Sequence, residues 1–208
     1  MERLEQSFDV VANTSPDPWT ESDRTQACRH AHGIVAFMTD RIDDRFLLEC
    51  KRLEIVAGCM KGGDNIDLEA CSRRGVTVSR STDMLTEPTA ELAIALLLNL
   101  ARNLMPGDAL IRRGGHLGWR PSFYGRTLRG TKVGVVGTGA VGRATGRNLI
   151  GMGAIPIGFD TNPRSMALAD ATGMIRGTSD DLRDLEMLVL CLPLATETVK
   201  WLDDKRIK

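Results

Sequence analysis

The sequence predicts an α/β protein organised around parallel sheets, on two observations. Short apolar runs rich in β-formers recur at roughly twenty-residue intervals: Phe8 to Val11, Gly33 to Met38, Leu53 to Cys59 and Val76 to Ser79. Polar stretches long enough for a helix, such as Glu21 to His30 and Leu68 to Arg74, lie between them. The second observation is a strand, a glycine-rich turn, a helix and a further strand in immediate succession from Lys132 to Asp160. Strands that alternate with helices pair in parallel, because each crossover returns the chain to the starting end of the sheet.

Composition narrows the function. The 27 Lys and Arg balance the 27 Asp and Glu, so no net field gathers nucleic acid or an anionic membrane surface, and neither partner is expected. Five cysteines (Cys28, Cys50, Cys59, Cys71, Cys191) form no C-x-x-C pair and no even framework, which fits a reducing cytoplasm. The longest apolar stretch, Leu92 to Ala101, is about half of the ~20 residues a bilayer span needs. The opening Met-Glu-Arg-Leu-Glu-Gln has the wrong charge order for a signal peptide. Cys28, His30 and His32 could suggest a metal, but on one helix only Cys28 and His32 would share a face, so no metal site is expected.

The middle of the chain reads as a long helix from Thr86, a cap residue, to about Leu104, with Pro88 in the first turn. Its Leu92, Ile94, Ala95, Leu96, Leu97, Leu98 and Leu100 surround most of the circumference, which predicts burial on all sides, part of it at a subunit interface. Between Pro106 and Gly130, glycine, arginine and aromatic residues mark a second helix followed by a loop.

The segment Lys132 to Asp160 carries the chemistry. Lys132 to Val136 is a buried strand, Gly137-Thr-Gly-Ala-Val-Gly142 opens a helix, Ile155 to Phe159 is the next strand, and Asp160 ends it. A lone G-x-G-x-x-G is weak evidence, but this βαβ context with a terminal acid is what a Rossmann dinucleotide site requires. Gly137 permits the turn, Gly139 admits the pyrophosphate to the helix N-terminus, together with Ala140 and Val141, and Gly142 allows close helix packing. Asp160 would hold the adenosine ribose hydroxyls and repel a 2′-phosphate, so NAD is expected over NADP. Arg164 is close enough to soften that preference, its plainer reading being a solvated helix start after Pro163, and NAD remains favoured. Met187 to Cys191 is a further buried strand, and its exit, Leu192-Pro193-Leu194, can border the cofactor.

These residues, with Ala36-Phe-Met38, Gly58-Cys-Met-Lys-Gly-Gly-Asp-Asn65, Pro88-Thr-Ala-Glu-Leu-Ala93 and Gly118-Trp-Arg-Pro-Ser-Phe-Tyr-Gly125, make the chain resemble the D-2-hydroxyacid dehydrogenase family. Within that family it is most similar to the phosphonate dehydrogenase branch, which oxidises phosphite. The resemblance implies part of a flavodoxin-like substrate domain over residues 1–85. It implies part of a doubly wound Rossmann domain over residues 86–208, with a homodimer formed through the helix at 86–104. Lys61, where hydroxyacid members usually carry a small or apolar residue, is implied as a catalytic cation gripping a compact oxyanion. Met38, Leu85, Trp119 and Tyr124 are implied as walls of the substrate pocket, and Thr89 as a neighbour of the nicotinamide.

The resemblance further implies a strand before Met1 and an Arg, a Glu and a general-base His beyond Lys208, so that this chain alone would be inactive. His30, His32 and His116 match none of those positions. Two alternatives accompany phosphite oxidation: turnover of a small 2-hydroxy or 2-oxo acid on the same scaffold, and an NAD-sensing corepressor-like protein, for which no exposed peptide-binding apolar surface is evident.

Overall fold

The computed structural model describes residues 2–116 and 118–203. They form two compact units, Met1–Asp83 and Met84–Lys208. Parallel α/β architecture, expected from the alternating pattern, is present in both.

The first unit opens with a short helix, α1 (Glu2–Glu5), followed by α2 (Glu21–Cys28), β1 (Gly33–Ala36), α3 (Asp44–Glu49), β2 (Ile55–Gly58), α4 (Leu68–Arg73) and β3 (Thr77–Arg80). The three strands pair in parallel in the order β1-β2-β3, with Ala36 opposite Gly58 and Gly58 opposite Arg80. Each longer helix is started by a side-chain cap. The Thr20 hydroxyl accepts from Asp23 N, the Asp43 carboxylate from Phe46 N and the Asp67 carboxylate from Ala70 N, meeting amides that the helix cannot satisfy itself. The Phe46 amide holds the Asp43 carboxyl below its usual range. Ile42, Phe46, Leu47, Val56, Met60 and Cys71 fill the core beneath the sheet.

Two expectations for this unit fail. Phe8 to Val11 is not a strand: Ser7 N and Phe8 N bond back to Leu4 O, and Phe8 and Val11 are about two-thirds exposed. β-Propensity makes no strand without a neighbour to take up its backbone groups. Helix α2 ends at Cys28, so Cys28 and His32 share no helical face; Cys28 is buried in the core while His32 is exposed. Burial pushes up the Cys28 thiol, and that of Cys50 to about 11. The five cysteines are all free.

The second unit contains α5 (Thr86–Arg102), α6 (Leu104–Arg112), β4 (Lys132–Val136), α7 (Ala140–Gly151), β5 (Ile155–Phe159), α8 (Pro163–Asp170), β6 (Ile175–Arg176), a 3-10 turn (Asp180–Asp184) and β7 (Met187–Leu190). Its parallel sheet runs β6-β5-β4-β7. The chain moves outward from β4 through β5 to β6 and then returns to the other side of β4, so the winding reverses there. Val133 and Val135 of β4 and Leu149 of α7 are fully buried.

The long central helix departs from expectation in three ways. Leu85, which has no side-chain acceptor, occupies the N-cap position, and Thr86 is already helical. Asn103, in the left-handed conformation at φ 53°, ends the helix before Leu104, and its partner helix α6 restarts at once. Burial is one-sided. Ala90, Leu97 and Ala101 are buried, with α5 packed along α7, whereas Leu92, Leu96 and Leu100 are 54–72% exposed. The apolar surface absent from the sequence reading is therefore present, and Leu104, Met105 and Ile111 of α6 add to it. No single helix among the described residues is long and apolar enough to cross a membrane.

Candidate cofactor and substrate sites

The glycine-rich turn sits where the second sheet reverses its winding, at the carboxyl ends of β4 and β7. In open α/β sheets that crevice is where ligands bind. Gly137 has φ +89°, a conformation only glycine adopts easily, and a Cβ there would lie 2.5 Å from Cys191 O and 3.1 Å from Leu192 Cδ2. The structure thus brings the β4 turn against the β7 exit. Gly142 is buried with its Cα hydrogen facing the Gly137 carbonyl, so closely that any side chain would overlap it. Gly139 is different: a Cβ there would meet nothing within 4 Å.

Gly139 is also the N-cap residue of α7, and no side chain caps that end. No acid lies in the first turn, while Arg143 donates to the Thr138 carbonyl at 2.9 Å. Half-buried Ala140 and Val141 follow. An uncapped helix N-terminus beside an open glycine is an anion cradle, with amide donors and the positive end of the helix dipole aimed at the same point.

Asp160 is half-buried at the end of β5. Its Oδ2 accepts from Thr138 N at 2.7 Å and from Thr138 Oγ1 at 3.2 Å, and its Oδ1 accepts from Asn162 N at 2.8 Å. The carboxylate is therefore an anchor of the turn as well as a potential ribose acceptor, a coupling that sequence spacing did not reveal. Arg164 is exposed and its amide donates to the N-cap Asn162, as a helix start should. The residues present fit NAD: a pyrophosphate at Gly139–Gly142 and ribose hydroxyls at Asp160.

Beyond the turn, Leu192, Pro193 and Leu194 line a concavity of about 340 Å³ with Leu190, Thr198 and Trp201. Burial pushes the neighbouring Cys191 thiol upward, with a hydrogen bond from Thr145 opposing it, and Cys191 packs against the core of the second unit.

In the first unit, Met38 and Lys61 follow the carboxyl ends of β1 and β2, so the sheet brings the two together at one end. Met38 is 78% exposed and Lys61 is half-buried. The loops there are held in place: Asn65 Nδ2 donates to Phe37 O at 3.0 Å and Asp40 O at 2.6 Å, and Cys59 N donates to Ala36 O. Arg80, which the motif reading passed over, ends β3 at the same edge; its only sequence signal is its place as a strand's last residue. Leu85, Trp119 and Tyr124 belong to the second unit, where they are 41%, 86% and 79% exposed. The loop carrying Trp119 and Tyr124 is fastened at its base by Arg126 N to Ala101 O and Asn103 Nδ2 to Tyr124 O. Thr89 spends its hydroxyl on Leu85 O at 2.6 Å, inside its own helix.

Residues 1–200 match the family model described as D-isomer specific 2-hydroxyacid dehydrogenase, catalytic domain. The chain belongs to that family. Over 210 residues it is 30% identical to glyoxylate reductase of Pyrococcus furiosus, covering 99% of this chain and 62% of that protein. It is 32% identical to glyoxylate reductase of Aeropyrum pernix, covering 64% of it. Among solved structures, a Polaromonas sp. JS6 66 protein assigned to the D-isomer specific 2-hydroxyacid dehydrogenases superposes with a TM-score of 0.88 at 28% identity, covering 99% of this chain and 65% of that one. The chain thus spans a little under two-thirds of the length of these relatives.

The glycine geometry yields an expected pair of outcomes. Gly142→Ala should destabilise the second unit by about 2–4 kcal/mol, since neither carbonyl nor helix can move aside. Gly139→Ala should leave the thermal transition unchanged and weaken NAD binding measured by calorimetry. Equal stability of the two variants would show that Gly142 is not the packing contact.

Proposed function

We propose that this protein is an NAD-dependent oxidoreductase that interconverts a small 2-oxo acid and its 2-hydroxy acid, glyoxylate and glycolate being the first pair to test. The observation that carries this reading is the open Gly139 at the uncapped α7 N-terminus, with Asp160 alongside. Similarity to glyoxylate reductases supports the substrate class. NAD, when bound, accepts or delivers the hydride; the chain's own part is to bind and orient. Backbone amides of α7 hold the pyrophosphate, Asp160 selects the ribose, and Lys61 attracts the substrate's carboxylate as a point charge.

None of the three histidines is suited to be the general base. His32 precedes β1, at the end of the sheet opposite Lys61, His30 lies just before it, and His116 is exposed after α6. Residues 1–208 are therefore expected to bind NAD with little turnover of their own. The five free cysteines support a cytoplasmic setting. Phosphite oxidation is the second reading, favoured by the lysine in the loop after β2. The enzymatic relatives support either activity over a corepressor role.

The deciding assay follows NADH consumption with glyoxylate and NADH formation with phosphite, in a chain extended with the remaining length of its relatives. Glyoxylate turnover with no phosphite turnover is expected; the reverse would replace the first reading by the second.

Cofactor choice is tested at Asp160. Asp160→Asn keeps acceptors for Thr138 but removes the charge, and should shift the NAD to NADP affinity ratio about ten-fold toward NADP. Asp160→Ala should also weaken NAD itself. An unchanged ratio in both would remove Asp160 from cofactor selection.

The exposed Leu92, Leu96 and Leu100 support a homodimer through α5, since a second copy would cover them. Light scattering should report a dimer for the native chain and a monomer for Leu96→Glu; a native monomer would rule this interface out.

A further inference from the structure

We propose that Arg80 is a substrate-binding residue which, with Lys61, forms a two-cation cradle over Gly62 and Gly63 and selects a 2-oxo acid carrying two negative charges over one carrying a single charge. This rests on the hydroxyacid reading of the site and goes beyond it, because the glyoxylate of the relatives bears one carboxylate.

The placement follows from strand register. Arg80 is the last residue of β3 and pairs with Gly58, the last residue of β2, so its side chain leaves the sheet at the carboxyl end. Lys61 enters the same end three residues after Gly58. Between them the chain is Gly62-Gly63, and the Arg80 guanidinium lies directly over Gly63. A Cβ there would stand 2.5 Å from Arg80 Nη1 and 3.3 Å from Arg80 Cζ. The guanidinium lies against bare backbone where any other residue would push it away.

Nothing spends that charge. Arg80 is exposed, and no ion pair joins it to a carboxylate among the described residues. Asp64, the nearby acid of the loop, lies beside Gly62 instead. The other basic groups of this unit that approach carboxylates, Arg24, Arg29, Arg41, Arg45, Arg73 and Arg74, pair with Asp40, Glu49, Asp43, Glu21 and Asp44, and Arg24–Asp40 adjoins this loop through Asn65. An arginine fork can grip a planar carboxylate with two parallel hydrogen bonds, whereas lysine acts as a point charge. A 2-oxo dicarboxylate offers one carboxylate to each.

The test measures binding of glyoxylate and of 2-oxoglutarate to the full chain by calorimetry. NAD is present, so that no hydride can be transferred. Wild type should bind 2-oxoglutarate more tightly. Arg80→Ala should weaken it about ten-fold or more while changing glyoxylate less than about three-fold, and Arg80→Lys should recover only part of the loss. Gly63→Ala, which displaces the guanidinium without removing it, should repeat the Arg80→Ala pattern. Circular dichroism should report all three variants folded. Tighter binding of glyoxylate by wild type, or equal effects of Arg80→Ala on both acids, would overturn the cradle and leave the hydroxyacid reading standing. Failure of wild type to bind either acid would overturn both.

Discussion

The second unit depends on one contact, the approach of the Gly142 backbone to the Gly137 carbonyl. Because no side chain stands on Cα at 142, α7 can start directly above the end of β4 instead of beside it. That placement buries Leu149 against Val133 and Val135 and aims the first amides of α7 over the sheet's carboxyl edge. A methyl group at this point would tilt the helix and misdirect the anion cradle together. Core packing and ligand geometry are here consequences of the same missing side chain, which is why the motif tolerates little variation at its third glycine.

Asp160 holds the glycine turn in shape. A carboxylate has about four lone-pair positions, and three donors from Thr138 and Asn162 already engage it. Thr138 is fully buried between the turn and α8, where its hydroxyl also contacts Met166 Sδ. Turn, strand end and following helix are therefore one hydrogen-bonded assembly, and a substitution at Asp160 that removes its acceptors loosens the turn.

Legibility in the sequence tracked the locality of the determinant. Lys132–Val136 and Ile155–Phe159 were readable to the residue, because β4 and β5 are buried on both faces and written as short apolar runs. The glycine turn was readable because backbone conformation restricts residue type. Phe8 to Val11 misled, since strand formation needs a partner that local composition cannot report. The α5 cap was missed by one residue, Thr86 having the right chemistry while Leu85 has the position. Helix α3 and strand β6 were not anticipated: six residues around Phe46 and Leu47, and two at Ile175, are too short to show a period. Arg80 was invisible because its meaning depends on register with Gly58 and on the absent Cβ of Gly63, neither of which is local.

The leucines of α5 show where counting apolar residues falls short of spacing them. Seven apolar residues within nine positions suggested burial all round, yet the fold buries Ala90, Leu97 and Ala101, whose offsets of seven and four hold one stripe against α7. Leu92, Leu96 and Leu100 recur every four residues and form a second stripe, rotated away from the first. The buried stripe uses two alanines, allowing the helix axes to approach, while the exposed one uses leucine throughout. A small-residue stripe serves a contact made inside the unit, where the Glu87–Arg147 ion pair at 2.6 Å also clips the start of α5 to α7. Large side chains on the opposite face contribute nothing to that contact, and leaving them in water forgoes roughly 1.5–3 kcal/mol for each that could be fully buried. The two faces of one helix therefore differ in kind: a small-residue stripe packs against α7, and a leucine stripe lies exposed.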